Sequence, residues 1–159
     1  MKIVFLDVDG VLNYDGCKER FGGFLGVEDA LVDRLAKIVH AANAQIVLVS
    51  SWKTLWDEEQ PRGEMHPMAK YLVEKLKKAG LHIADRTTDA GSDRGNGINK
   101  WIRHVSAKEI ENFVVLDDEV FYDYEREGIL PHLVKTSFYA GGLSDQNVEE
   151  AIKILNEKK

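Results

Sequence analysis

The segment Lys2-Ile3-Val4-Phe5-Leu6-Asp7-Val8-Asp9-Gly10-Val11-Leu12-Asn13 carries more information than any other part of the chain. Ile3 to Leu6 is an unbroken apolar run rich in β-branched and aromatic side chains, the pattern of a strand buried on both faces. It stops at two carboxylates, Asp7 and Asp9, with Gly10 directly behind them. In an open parallel sheet, ligands bind beyond the carboxyl ends of the strands, so these acids fall where chemistry is done. Gly10 permits a sharp turn, and Val11-Leu12 returns the departing chain to apolar surface. A lone Asp after a strand is most often a turn former or a helix cap. A calcium-binding EF-hand loop also begins Asp-x-Asp, but it needs an oxygen ligand where Val11 stands, glycine where Leu12 stands and a preceding helix. That reading fails.

Outward from this segment, the totals bound the answer. A chain of 159 residues with 44% hydrophobic content suits a single globular domain over 1–159. The net charge of −6 argues against a broad nucleic-acid-binding surface, though not against a local basic rim. Cys17 is the only cysteine, so no intrachain disulfide can form. The amino terminus runs straight into a core strand and no apolar stretch is long enough for a membrane, so the expectation is a cytoplasmic protein without membrane contact.

Apolar runs and helical periodicities alternate along the rest of the chain. Residues 13–26 are polar, aromatic and glycine-rich without periodicity, and read as a loop or short flap over the site. Leu31, Leu35, Ile38 and Val39 mark a helix, and Gln45–Val49 a second buried strand closed by Ser50-Ser51-Trp52-Lys53. Ala69, Leu72, Val73 and Leu76 mark a second helix, with Gly80 as its stop. Leu81–Ala84 reads as the third strand, and Ile98, Trp101, Ile102 and Val105 as a third helix. Phe113–Leu116 is a fourth strand ending in Asp117-Asp118. A weak helix or turn over 120–127 leads to a fifth strand at Leu133-Val134, and Ser144 caps a last helix. This alternation implies a parallel, Rossmann-like sheet in a three-layer α/β/α sandwich.

That fold brings three strand ends together: Asp7/Asp9, Ser50/Ser51 and Asp117/Asp118. Two unit charges about 4 Å apart repel by roughly 4 kcal/mol at an effective dielectric near 20, on the order of three pKa units. Four such carboxylates need a counter-charge. With oxygen ligands only and no His or Cys cluster of zinc spacing, Mg²⁺ is the natural one.

The string Asp-Val-Asp-Gly-Val-Leu-Asn after an apolar strand resembles the first motif of the haloacid dehalogenase-like (HAD) hydrolases. The resemblance implies a sheet order of 5-4-1-2-3, Asp7 as nucleophile, and Asp9 as general acid and base whose main-chain carbonyl binds the metal. It implies Ser50 as the hydroxyl on a phosphoryl oxygen, with Gly10 and the backbone N–H of Ser51 nearby. It favours Asp118 over Asp117 as metal ligand, leaving Asp117 a supporting or water-mediated partner. The family's cation, which neutralises nucleophile and phosphate, is either Arg94, just ahead of the third helix, or Lys100 within it. An acid at Asp9 points to phosphate-ester hydrolysis, because the dehalogenase branch lacks one there and an alkoxide leaving group needs a proton.

The short flap leaves no room for a cap domain, so the expected site is open, suited to a large substrate or to closure by a partner subunit. The strings Asp-Gly-Val-Leu-Asn, Val-Ser-Ser-Trp-Lys, Arg-Gly-x-x-Ile-x-x-Trp and Gly-Gly-Leu-Ser look like those of small HAD domains associated with RNA-repair proteins. A phosphorylated nucleic-acid end or a nucleotide is therefore one expected substrate, and a small metabolite or phosphoprotein another. Tyr14, Phe21, Phe24, Trp52 and Trp56 either stack on a base or pack in the core. Lys18, Arg20, Lys53, Arg62 and Arg86 are candidates to steer a phosphate. A phospho-accepting receiver domain, with Lys135 as its lysine, is the alternative from another functional class. Receivers carry the acid pair after the first strand, whereas here it follows the fourth.

Overall fold

The computed structural model describes residues 1–55, 66–88 and 93–158. The chain runs β1 (Lys2–Leu6), β2 (Arg20–Phe21), β3 (Phe24–Leu25), α1 (Asp29–Ala42), β4 (Ala44–Leu48), α2 (Pro67–Lys78), β5 (Ile83–Arg86), α3 (Arg94–Val105), β6 (Asn112–Asp117), β7 (Leu133–Lys135) and α4 (Asp145–Asn156). Five strands form one sheet in the order β5-β4-β1-β6-β7, and every pairing in it is parallel. β2 and β3 lie outside that sheet. Numbered without them, the same order reads 5-4-1-2-3 from the opposite edge.

Strand alternation makes the layers. Ile3 and Phe5 point to one face with Val47, Phe113 and Val115, where Ile98 of α3, Tyr124 and Ile129 cover them. Val4 and Leu6 point to the other with Ile46, Leu48, Val114 and Leu116, beneath apolar side chains of α1, α2 and α4. Being buried on both sides, Ile3–Leu6 of β1 carry no polar position, which is why that run is continuously apolar. Phe5 meets Trp101 and Phe113 edge-on, each at 5.6 Å between centroids, a favoured aromatic geometry. Among the described residues, no helix is long and apolar enough to cross a membrane.

Two local expectations change. The third sheet strand begins at Ile83 rather than Leu81, because Leu81 belongs to the stop of α2. Gly80, at φ 75°, donates to the Lys77 carbonyl and Leu81 to the Leu76 carbonyl, the paired bonds of a Schellman stop. The flap over 13–26 is not plain loop but carries the β2–β3 hairpin, turned by Gly22-Gly23. Its base is tied down. Asn13 Nδ2 donates to the Gly26 carbonyl at 3.0 Å, Tyr71 Oη of α2 accepts from Val27 N at 3.0 Å, and Phe21 stacks on the Tyr71 ring at 4.8 Å.

Candidate active site

The carboxyl ends of β1, β4 and β6 lie side by side in the sheet, so Asp7, Ser50 and Asp117 share one rim. Asp7 N continues the ladder by donating to the Leu116 carbonyl at 3.0 Å, which buries its side chain in the cleft beside β6. The chain then turns at Gly10, with φ 81°. A Cβ there would lie 2.3 Å from Asp118 Oδ2, so only glycine lets this turn pass against the second acid of the β6 pair. Thr136 Oγ1 donates to the Gly10 carbonyl at 2.6 Å and fixes the turn from the β7 side.

One carboxylate oxygen from each of Asp7, Asp117 and Asp118 lies within 4.8 Å of the other two. Burial, and after it the charge of Asp117, holds the Asp7 carboxyl well above the ordinary range, against the opposing pull of Arg94. Burial also raises Asp118. Arg94, the first residue of α3, reaches into this cluster: its Nη1 is 2.8 Å from Asp117 Oδ2 and 3.5 Å from Asp7 Oδ1. The Tyr124 hydroxyl donates to the same Asp117 oxygen at 2.8 Å, and Glu119 N donates to the other at 3.0 Å. Burial and the Asp117 charge push the Tyr124 phenol far up, so it remains a donor. Asp117 thus accepts from three protein donors, which suits a supporting role, while Asp118 is half-buried and has oxygen to offer.

Asp9 stands apart from the three-acid cluster. Its Oδ2 accepts from Trp52 Nε1 at 3.1 Å and its Oδ1 from Asn13 Nδ2 at 2.9 Å. Ser50 is fully buried; its Oγ accepts from Trp52 N at 3.2 Å and keeps its own proton to donate. Ser51 is exposed at the start of a short 3₁₀ turn. Lys100 is exposed on α3, so of the two candidate cations Arg94 is the one at the carboxylates.

The rim residues divide. Trp52 is buried at 5% exposure and belongs to the core; Phe24 is 65% exposed on β3. Lys53 is buried with Nζ on Thr87 Oγ1 at 3.0 Å, whereas Lys18 and Arg20 are exposed. Trp56 and Arg62 lie outside the described residues. The sequence reading missed Asn13, Tyr124, Phe121 and Asp123 as parts of the site. Asn13 had a signal, since it closes the opening motif; the other three sit among turns without periodicity.

The family model for the HAD domain in Swiss Army Knife RNA repair proteins matches residues 3–148. The chain belongs to that family. It is a HAD-type hydrolase domain, and the match spans all five sheet strands and the start of α4. No curated protein and no solved structure matches it. As expected of a HAD domain, its acids gather at the strand ends. The Asp7–Asp117–Asp118 cluster is an all-oxygen set, with the carboxyls of Asp7 and Asp118 raised by burial, and hard oxygen donors are the chemistry a divalent cation such as Mg²⁺ requires.

Proposed function

We propose that this HAD domain is a Mg²⁺-dependent phosphomonoesterase that works through an aspartyl-phosphate on Asp7 and acts on phosphorylated nucleic-acid ends or nucleotides. The observation that carries the reading is Asp7, buried beside a second acid and a fixed guanidinium, with Asp9 two residues on. An Asp7 oxygen attacks phosphorus, a new P–O bond forms, and the bond to the leaving oxygen breaks. Asp9 gives that oxygen its proton, then takes one from the water that cleaves the acyl phosphate and returns Asp7 as a carboxylate. Ser50 and Arg94 hold the non-bridging oxygens. Asp7 and Asp118 would hold the cation with the Asp9 carbonyl, and the cation offsets negative charge on the transferring group.

Arg94 Nε supports this reading independently. It is a buried donor that meets no acceptor among the described residues, and a phosphoryl oxygen would complete it. The nucleic-acid substrate rests on the family's association with RNA repair and on the short flap, with no cap domain among the described residues.

The test is phosphate release with Mg²⁺ from 3′- and 5′-phosphorylated oligonucleotides, mononucleotides, sugar phosphates and phosphopeptides. Continuous release that stops in excess EDTA and in Asp7→Asn is the expected result, with oligonucleotides or nucleotides preferred. Full turnover in EDTA removes the metal, and one phosphoryl group per chain without release would instead make the domain a phospho-acceptor.

A further inference from the structure

Residues 120–127 follow the acid pair and consist mostly of turns, yet they grip the start of α3 at successive points. The guanidinium carbon of Arg94 lies 4.1 Å from the centroid of the Phe121 ring, within contact distance for a cation over an aromatic face. The Tyr122 hydroxyl donates to the carboxylate of Asp93, the residue before Arg94. Asp123 is fully buried, and its two oxygens accept from Gly95 N at 3.0 Å and Asn96 N at 2.9 Å. Asp93 makes no side-chain cap of its own, so the cap of α3 comes from Asp123, across the fold. Gly95 is required by this approach, since a Cβ there would stand 2.8 Å from Asp123 Oδ1. Glu127 closes the grip one turn on, its carbonyl and carboxylate accepting from Asn99 Nδ2 at 2.8 and 2.9 Å.

Cap and packing alone explain a stable helix start. They do not explain why the same segment also sets an aromatic ring against the Arg94 side chain. Its Nη1 is bound to Asp117 and faces Asp7, the Phe121 ring packs against its guanidinium, and the buried Nε remains without an acceptor among the described residues. A flexible arginine would turn that donor toward water; here the surroundings hold it in place. We propose that Phe121 and Asp123 are positioning residues for Arg94, holding its guanidinium so that Nε is presented to a phosphoryl oxygen. The inference rests on the reading that phosphate binds at this site. It adds residues that touch neither substrate nor metal.

Inorganic phosphate, titrated calorimetrically in Mg²⁺ buffer, is the probe, so the readout does not depend on turnover. Phe121→Leu keeps apolar bulk but removes the ring face, and should weaken phosphate binding about five- to tenfold. Phe121→Tyr keeps the face and should bind like wild type. Asp123→Asn retains one acceptor and should weaken binding by a similar factor, with thermal melts confirming a folded protein. In an Arg94→Ala background both losses should shrink to less than about twofold, because coupled residues are not additive. Phe121→Tyr losing as much as Phe121→Leu, equal losses in both backgrounds, or a wild-type chain that does not bind phosphate would each overturn the proposal. A chain that binds phosphate through Arg94 but releases none from any ester would sink the phosphomonoesterase and leave the positioning role standing.

Discussion

Asp9 is held by two donors of different origin, an indole N–H from Trp52 and an amide N–H from Asn13. Neither can accept a proton back, so both serve to orient the carboxylate. Trp52 therefore has a role beyond packing, and a buried ring at 5% exposure offers no face to a nucleobase. Trp52→Phe keeps most of the volume and deletes the donor. It should slow hydrolysis of an alkyl phosphate about tenfold more than that of p-nitrophenyl phosphate, whose leaving group needs no proton. Equal losses on both esters would reduce Trp52 to a packing residue. At this scale the opening motif was legible, because a lone acid after a strand is usually a turn former but the whole string Asp-Val-Asp-Gly-Val-Leu-Asn is not. Asp9's partners were not, since an indole 43 positions away leaves no trace in local pattern.

Elements were legible where periodicity had length to work with. β1, β4 and β6 read as apolar runs, and α1, α3 and α4 as stripes that the structure places against the sheet. The β2–β3 hairpin escaped notice because strands of two residues carry no period. The grip of 120–127 on α3 escaped because turn residues bond through backbone and carboxylate rather than through an apolar face. α4 shows what a well-marked element gains from its cap. Ser144 Oγ accepts from Asn147 N at 3.1 Å, and Asn147 Oδ1 accepts from Ser144 N at 2.9 Å, a reciprocal capping box. Ser144→Ala should cost about 1 kcal/mol, or ~2–4 °C in the midpoint of a thermal melt, and Ser144→Asp should recover most of it. An alanine variant that melts with wild type would show that packing of Val148, Ala151 and Leu155 already fixes the helix start.

Across the whole molecule, the three-acid cluster sets site chemistry against stability. Asp7 and Asp118 have carboxyls raised in the folded chain, first by burial, and the Asp117 charge adds to both. In the unfolded chain they titrate in the ordinary carboxylate range. Between that range and the raised values, the folded state binds more protons than the unfolded one, so stability falls as pH rises. Their stabilising contribution is complete below the ordinary carboxylate range and lost as pH climbs through the raised values. A cation held as proposed would bind the deprotonated cluster and stabilise by mass action, so its effect should grow as the protons leave. Metal-free protein should therefore melt higher near about pH 5.5 than near about pH 7.5, and added Mg²⁺ should raise the midpoint most at the upper end. Asp7→Asn removes a buried negative charge while Asp117 keeps its bond to Arg94, so the metal-free variant should melt above wild type near neutrality. Its midpoint should also vary less with pH, and its Mg²⁺ response should shrink. A metal-free wild type that gains stability on going from about pH 5.5 to about pH 7.5, or an Asp7→Asn chain that melts below it near neutrality, would mean that Arg94 already balances the cluster. The cation would then serve the reaction alone.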